Sequence, residues 1–259
     1  MRVLIFGLPG SGKTYLAQEL VKLMGDKVAW FNADKVREEA DDWDFSDEGR
    51  LRQNKRMKML CEGAEAKGKI AIADFVCPFQ SARDDFEANY TIWVNTIEEG
   101  RFADTNAVFE KPKKADYTVT AWHGDSDAKN IAWDLGELFI WQDQAPTVQM
   151  LGRWQPWHAG HQALFDRAIA KTGQVNLQIR NMPVTTDNPF TCYEVYKNLH
   201  DQLAQYAGQV KISIVPNTTN ITYGRSVGYS IEQEVFDEDT HSISATKIRE
   251  QMRQNGELT

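Results

Sequence analysis

A glycine-rich segment near the start of the chain restricts the fold more than any other part of the sequence. Residues 7–14 read GLPGSGKT and fit the pattern G-x-x-x-x-G-K-[ST], in which backbone N–H groups surround a phosphate. The apolar run 3–6 before it predicts a buried strand, and apolar residues recur at helical spacing over 14–24. A strand that turns in this way into a helix N-terminus is an anion-binding unit. The sequence therefore predicts a phosphate cradle within an α/β fold.

The residue types of this segment serve one kind of chemistry. Glycines let the backbone turn its N–H groups inward, and the helix behind them adds the positive end of its dipole. Lys13 supplies charge to the β- and γ-phosphates as a catalytic residue, and the hydroxyl of Thr14 binds Mg²⁺. We therefore expect ATP as a substrate and Mg²⁺ as a cofactor. The predicted nucleotide-binding residues of this loop are Gly7, Gly10, Ser11, Gly12, Lys13 and Thr14.

Strands alternate with helices along the whole chain, which predicts parallel sheets. The polar stretch 142–146 ends in proline and predicts a linker between a first domain, residues 1–141, and a second, residues 147–259. In the first domain, further strands are predicted at 28–31, 70–73, 91–94 and 117–122, and helices at about 47–67 and 131–141. In the second, strands are predicted at 147–151, 175–179 and 211–215, and helices at about 160–171, 193–206 and from 245 onward.

Composition narrows the class of partner. The net charge of −8 argues against a general nucleic-acid or membrane-surface binder and leaves small molecules as the expected substrates. No apolar run approaches the roughly 20 residues that cross a bilayer, and the opening segment does not resemble a signal peptide. The three cysteines are scattered, which favours a reducing cytoplasm over a disulfide scaffold or zinc site. The oligomeric state stays open.

Three segments of the first half carry a resemblance to a known family. The sequence 31–37 (FNADKVR) resembles D-G-D-x-[VI]-R, and 75–83 is similar to F-I-S-P-Y-R-x-x-R. The stretch 45–54 resembles F-S-x-x-x-R-x-x-N, with Asn54 one position beyond the Asn of that pattern. Residues 1 to about 122 thus resemble the adenylylsulfate (APS) kinase family, which implies a P-loop kinase fold. The resemblance implies that Asp34 orients or deprotonates the accepting hydroxyl. The same carboxylate is a candidate ligand of Mg²⁺. The residues that it implies for acceptor binding are Arg37, Arg50, Asn54, Phe75 and Arg83.

The first half also departs from that family. Asn32 replaces the first Asp of D-G-D, Gln80 replaces an Arg, and Asp74 stands where Ser is usual. The lid segment, normally R-D-P-K-G-L-Y, continues after Arg101 as residues 102–106 (FADTN). Because the lid and the acceptor contacts set specificity, the resemblance implies a kinase but leaves its acceptor open.

A second motif lies in the other half. Residues 152–161 (GRWQPWHAGH) follow a predicted strand and open a predicted helix. Two imidazoles three residues apart at a helix N-terminus, His158 and His161, can donate hydrogen bonds to the α-phosphate and the leaving pyrophosphate of a nucleotidyl transfer. Gly160 between them lets a triphosphate approach the backbone closely.

This segment resembles the G-R-F-Q-P-x-H-x-G-H signature of the nucleotidylyltransferase superfamily. Residues 243–249 (ISATKIR) resemble its I-S-x-T-x-[IV]-R motif, whose hydroxyls and Arg meet the β/γ-phosphates, and the gap between the motifs suits a small five-stranded unit. Residues 188–194 are similar to N-P-F-T-x-x-E-R of archaeal-type nicotinamide mononucleotide (NMN) adenylyltransferases, with Val195 in place of the Arg. The resemblance implies a Rossmann-like second domain that uses ATP or CTP. The residues implied for nucleotide binding are Gly152, Arg153, Gln155, His158, Gly160, His161, Ser244, Thr246 and Arg249, with both histidines catalytic.

These features predict a bifunctional transferase. One half phosphorylates a small hydroxyl compound with ATP, and the other transfers AMP or CMP to an anionic small molecule with release of pyrophosphate. Alternatives are a ribosylnicotinamide kinase/NMN adenylyltransferase that makes NAD, a sulfate-activating APS kinase, and cytidylyl transfer to a phospho-alcohol or phosphonate. A nucleotide-sensing binding protein with an inactive kinase half is the alternative of another class.

Overall fold

The strand that precedes the glycine-rich loop lies at the centre of a parallel sheet. The computed structural model describes residues 1–222, 224–225, 228–236 and 244–258. All residues of β1 (Arg2–Phe6) are buried, and β1 pairs in parallel with β3 (Ile70–Asp74) and β4 (Tyr90–Val94). Adding β2 (Val28–Asn32) and β5 (Tyr117–Val119) gives a five-stranded sheet in the order β2-β3-β1-β4-β5. The carboxyl ends of its strands therefore meet at one edge, where α/β folds place their ligands.

Helices lie between and after the strands of this sheet along the chain, and side chains cap the N-termini of two of them. They are α1 (Lys13–Met24), α2 (Ala33–Glu39), α3 (Asp47–Glu65), α4 (Gln80–Phe86), α5 (Ala103–Val108) and α6 (Ser126–Phe139). The side chain of Asn32 caps α2 and that of Ser46 caps α3, each by accepting a hydrogen bond from a backbone N–H. Met57 of α3 and Phe86 of α4 are buried in one hydrophobic core cluster with Phe6 of the sheet.

Gly7 and Gly63 are expected to respond in opposite ways to an added methyl group. Gly7 has φ 149°, and a Cβ there would lie 2.3 Å from the Val94 carbonyl oxygen, whereas a Cβ on the helical Gly63 meets nothing within 4 Å. Gly7→Ala is expected to lower the free energy of unfolding by about 2 kcal/mol or more, and Gly63→Ala to raise it by about 0.5–1 kcal/mol. Urea titrations of both variants test this. A Gly7→Ala protein as stable as the wild type would contradict the geometry of the loop.

A second parallel sheet follows in the chain. It contains β6 (Val148–Gly152), β7 (Val175–Arg180) and β8 (Val210–Val215) in the order β6-β7-β8. Its helices are α7 (Ala159–Thr172), α8 (Cys192–Gln202) and α9 (Ala245–Gln254). Thr191 and Glu194 form a reciprocal capping box at the start of α8.

Internal contacts divide the chain into two compact units, Met1–Leu135 and Gly136–Thr259, so the division falls within α6. The α/β class with parallel sheets is confirmed, and the predicted strands and helices are present with shifted ends. Within the described part of the chain, no helix has the length and apolar content that crossing a membrane requires.

Three expectations differ from the structure. The strand predicted at 117–122 ends at Val119, because Trp122 instead packs against Gly12 and the ring of Tyr15. The helix predicted at 193–206 ends at Gln202 and is followed by a short 3₁₀ turn. The second sheet has three strands in the described residues rather than five. Ile243, which opens the ISATKIR motif, and His241 lie outside the described residues.

Candidate active sites

The glycine-rich loop between β1 and α1 is closely packed around its lysine. Gly10 and Gly12 adopt φ values of 92° and 100°, which glycine tolerates best. Ser11 is fully buried, and Lys13 is only 8% exposed. The ammonium group of Lys13 donates a hydrogen bond of 2.8 Å to the carbonyl oxygen of Leu8 within the same loop. The loop thus holds its cation in place before any phosphate arrives.

Burial makes the charge of Lys13 sensitive to its surroundings. Desolvation lowers the pKa of Lys13 to about 8, and the nearby carboxylates of Asp74 and Asp34 oppose that effect. An incoming polyphosphate adds negative charge beside the ammonium group and therefore raises its pKa. At a given pH, a larger fraction of Lys13 is therefore protonated when a phosphate is bound.

This pKa predicts a pH profile. A lysine is charged below its pKa, so the free protein loses the cation above about pH 8, whereas the phosphate-bound protein keeps it. We expect kcat/KM for the nucleoside triphosphate to fall by up to about tenfold per pH unit above that point while kcat stays level, because kcat/KM reports ionisations of the free enzyme. Steady-state kinetics between pH 6.5 and 9.5 measure both. A parallel fall of kcat would contradict the assignment to Lys13.

A buried carboxylate stands beside the loop. Asp74 ends β3, is 2% exposed, and accepts hydrogen bonds from the Thr14 hydroxyl (2.7 Å) and from Trp30 Nε1 (2.6 Å). Asn32 Nδ2 donates to the same carboxylate at 3.0 Å and to Thr14 Oγ1 at 3.3 Å. Burial raises the pKa of Asp74, and the bonds from Thr14, Trp30 and Asn32 oppose that rise. A carboxylate and a hydroxyl therefore meet at the edge of the phosphate cradle.

These oxygen donors fit Mg²⁺. Hydroxyl and carboxylate oxygens are the ligands that Mg²⁺ prefers, together with phosphate oxygens. Thr14 and Asp74 would hold such an ion, and the exposed Asp34 lines the same cleft. In the sequence, Asp74 differs from the family pattern, and its neighbours give no direct sign of a metal-binding role. The signal that could have found it is an acidic residue that ends a buried strand next to β1.

Asp74→Asn is expected to weaken magnesium-dependent nucleotide binding at least about tenfold, because one anionic ligand is lost. Titration calorimetry of ADP in the presence and absence of Mg²⁺ measures it. Only the magnesium-dependent part of the affinity should change. Asp41→Asn is the matched control, since Asp41 is exposed and its positive φ of 46° suits asparagine. Equal magnesium dependence in the wild type and in Asp74→Asn would exclude this role.

The loop opens into a large cleft in the first unit. It has a volume of about 750 Å³ and extends from the phosphate loop past α2, α3 and α5. Aromatic rings form much of its wall: Trp43, Phe45, Phe75, Phe79 and Phe102. Asp34, at the start of α2, lines the cleft together with Lys13 and Thr14. The cleft therefore has room for a triphosphate and for a second, ring-containing molecule.

The acceptor residues implied by the family resemblance are not equivalent in the structure. Arg37, Arg50, Asn54 and Phe75 line the cleft. Arg83 is not among the lining residues. It is 5% exposed, and its guanidinium donates to the backbone carbonyls of Cys77 (2.7 Å), Pro78 (2.9 Å) and Glu110 (2.8 Å). Arg83 therefore links the backbone of residues 77–78 to that of residue 110, outside the lining of the cleft.

The first unit is similar in sequence to a known protein family. Residues 1–114 match the model of the family described as adenylylsulphate kinase. The chain is 36% identical over 86 residues to a probable adenylyl-sulfate kinase from Aeropyrum pernix, an alignment that covers 32% of this chain and 47% of that protein. The chain thus spans about half the length of that curated relative. The N-terminal part of the chain is similar to adenylylsulphate kinases.

Solved structures of small-molecule kinases are also similar to this half. An APS kinase from Mycobacterium tuberculosis in complex with AMPPNP and APS matches with 19% identity and a TM-score of 0.47, covering 52% of this chain and 96% of that chain. A shikimate kinase from Aquifex aeolicus matches with 16% identity and a TM-score of 0.39, covering 53% of this chain and 98% of that chain.

In the second unit, the two motif histidines lie together at a helix N-terminus. His158 caps α7, with Nδ1 accepting hydrogen bonds from the backbone N–H groups of Gly160 (3.2 Å) and His161 (3.4 Å). The rings of His158 and His161 stack with centroids 3.7 Å apart, and Trp154 and Trp157 pack around His161. The cap fixes the tautomer of His158 with its proton on Nε2.

Both imidazoles are neutral at pH 7 in the free protein. Burial lowers the pKa of His158. The pKa of His161 falls to about 4, first because the ring is buried and second because it faces His158, while a backbone hydrogen bond with Pro156 opposes the fall. A neighbouring triphosphate would raise both pKa values, so the His161 ring can take up a proton as the anion binds, while His158 keeps Nδ1 as the acceptor of the helix cap.

A buried arginine links the histidine motif of the second unit to α9. Arg249 of α9 is 5% exposed and donates to the Gln155 carbonyl at 2.9 Å and to Thr246 Oγ1 at 3.1 Å. Gln155 is itself bonded through its side-chain amide to both backbone groups of Phe190 at 3.0 Å. Ser244 caps α9. The structure thus brings Gln155, Thr246 and Arg249 together, although they are far apart in the sequence.

The remaining predicted residues of this site frame the same loop. Arg153 Nη1 donates to the buried Asn188 side chain at 3.3 Å, which links the loop to the NPFT segment. At Gly152, a Cβ would lie 2.6 Å from the Trp154 indole, so the position requires glycine. Trp154 Nε1 donates to the Gln178 carbonyl of β7 at 2.9 Å and fixes the indole there.

Proposed function

We propose that the first unit is an ATP-dependent kinase that phosphorylates a hydroxyl group of a small molecule. The observation that carries this proposal is the cluster of Lys13, Thr14 and Asp74 at the mouth of a cleft that also contains Asp34. The match of residues 1–114 to the adenylylsulphate kinase family supports it. The acceptor oxygen attacks the γ-phosphorus, the bond to the β–γ bridging oxygen breaks, and ADP leaves.

In this reaction each residue has a defined part. Asp34 orients the acceptor hydroxyl and takes its proton as the new P–O bond forms. Lys13 neutralises charge on the β- and γ-phosphates, and the backbone N–H groups around Gly10 and Gly12 hold the phosphate oxygens. Thr14 and Asp74 would hold Mg²⁺, which would supply further charge neutralisation at those oxygens. Asp74 and Asn32 keep the Thr14 hydroxyl in position through their hydrogen bonds.

The second unit supports a proposal of nucleotidyl transfer from ATP or CTP. The supporting observation is the stacked His158–His161 pair at the N-terminus of α7, with Arg249 bonded to the same loop. An anionic oxygen of the acceptor attacks the α-phosphorus, and pyrophosphate leaves. The histidines and the N–H groups at the helix start stabilise negative charge on the transferred and departing phosphates. The acceptor of this transfer is expected to be a phosphorylated compound, and one candidate is the product of the first unit.

A screen that reads ADP and pyrophosphate separately tests both proposals. The full chain is incubated with Mg²⁺, with ATP or CTP, and with panels of hydroxyl acceptors and phosphorylated acceptors. Acceptor-dependent ADP supports the kinase, and acceptor-dependent pyrophosphate supports the nucleotidylyltransferase. A protein that binds ATP but forms neither product with any acceptor would instead indicate a nucleotide sensor. A phosphorylated product that then stimulates pyrophosphate release would place the two reactions in sequence.

A further inference from the structure

The acceptor end of the kinase cleft has aromatic walls that solvent reaches. Trp43, Phe45 and Phe102 line the cleft and are each more than half exposed. Leaving large rings in water is unfavourable, and a flat molecule that covers them removes their apolar surface from solvent. The wall therefore fits a planar ring system.

The charges at this end are balanced. Two guanidiniums, those of Arg37 and Arg50, line it together with two carboxylates, those of Asp34 and Asp104. The other two cations of the cleft lie with the phosphate loop: Lys13 belongs to it, and Arg101 Nε would lie 3.5 Å from a Cβ on Gly10. The acceptor end thus offers no net positive charge to an anionic acceptor.

Arg37 is engaged by the chain itself. Its Nη1 donates to the backbone carbonyls of Asp42 and Asp44, each at 2.9 Å, and its guanidinium lies 4.7 Å from the centroid of the Phe45 ring. The Asp42 carboxylate is 4.0 Å from the same nitrogen. Arg37 therefore fixes the segment that carries Trp43 and Phe45.

Arg50 has a carboxylate partner from the lid position. Its Nε donates to the Phe45 carbonyl at 2.8 Å, and its Nη2 to Asp104 at 3.3 Å and to Thr105 Oγ1 at 3.4 Å. The place where an acceptor anion would meet this guanidinium is thus occupied by a side chain of α5. An acceptor without negative charge at this position would meet no repulsion from Asp104.

We infer that the acceptor of the kinase unit is a hydroxyl compound with a planar ring and no negative charge, of the nucleoside class. This inference rests on the proposed kinase function and names its substrate class. The exposed rings hold the base, and Asp104 repels acceptors that carry phosphate or sulfate.

Matched acceptors test the inference on the full chain. ADP formation is measured with saturating ATP and Mg²⁺ for purine, pyrimidine and pyridinium ribosides, for their 3′- and 5′-monophosphates, and for adenylylsulfate. We expect kcat/KM to be at least about tenfold higher for the best riboside than for either of its monophosphates and for adenylylsulfate. An anionic acceptor that equals or exceeds every riboside overturns the inference and leaves the kinase proposal standing. Absence of ADP with all acceptors overturns both.

A variant isolates the part played by the lid carboxylate. Asp104→Asn is expected to raise kcat/KM about fivefold more for the monophosphates than for the ribosides, and to do so through KM, because a partly exposed carboxylate no longer repels the added anion. Glu99→Gln removes a charge from an exposed residue just before the lid and should change neither. Unaltered discrimination in Asp104→Asn would exclude the repulsion assigned to Asp104.

Discussion

Replacing Lys13 by methionine is expected to lower kcat/KM for ATP-dependent phosphoryl transfer about a thousandfold, the loss typical of a preorganised group that faces developing charge. Methionine keeps the volume of the buried stem but removes the ammonium group that the loop holds against the Leu8 carbonyl. Most of the loss should be in kcat, because a neutral side chain still leaves the backbone N–H groups to bind phosphate.

Two features make this experiment decisive. Lys22→Met on the same helix is the matched control, since the Lys22 side chain is 70% exposed and pairs only on the surface with Glu19; it should retain wild-type rates. Folding is controlled by thermal denaturation, which should show no loss, because burial already disfavours the charge of Lys13. Pyrophosphate release by the second unit should be unaffected by this substitution. Full kinase activity in a folded Lys13→Met protein would refute the kinase proposal.

The sequence was most informative where structure is local. β1, the glycine-rich loop and α1 are contiguous, so the apolar run, the glycines and the helical spacing of Leu16, Leu20 and Met24 predict them together. The same holds for β6 and α7 around the histidine motif. Strand-loop-helix units fold from neighbouring residues, and their pattern can be read without knowing the rest of the chain.

The acceptor end of the cleft could not be predicted in this way. The Arg50–Asp104 contact joins residues 54 positions apart, and the Thr14–Asp74 bond joins residues 60 apart. Such pairs depend on the register between β1 and β3 and on where α5 lies, which no local pattern specifies. The resemblance implies that Arg37, Arg50 and Arg83 share a role. In the structure, Arg37 bonds to backbone carbonyls of its own loop, Arg50 pairs with Asp104 of α5, and Arg83 is buried behind the cleft. Whether any of them binds an acceptor stays a prediction.

The second large effect is expected in the other unit. Replacing both His158 and His161 by asparagine should lower the rate of pyrophosphate release about a thousandfold or more, since each group that stabilises transition-state charge contributes about 10²–10³. The single variants should each lose most of that activity, because the rings stack at 3.7 Å and act as a pair. Asparagine at 158 retains a cap for α7, so the helix start is preserved.

Proton uptake gives a readout that a purely structural role would not produce. Both imidazoles have lowered pKa values, that of His161 about 4, so they are neutral at pH 7 in the free protein. A polyphosphate raises these pKa values, and nucleotide binding near pH 6 should therefore take up part of a proton. Calorimetry in buffers of different ionisation enthalpy measures this uptake, which should vanish in the double variant. His200→Asn, on α8 of the same unit, is the control and should keep both the uptake and the rate. Pyrophosphate release that survives loss of both motif histidines would defeat the nucleotidylyltransferase proposal and leave the kinase proposal untouched.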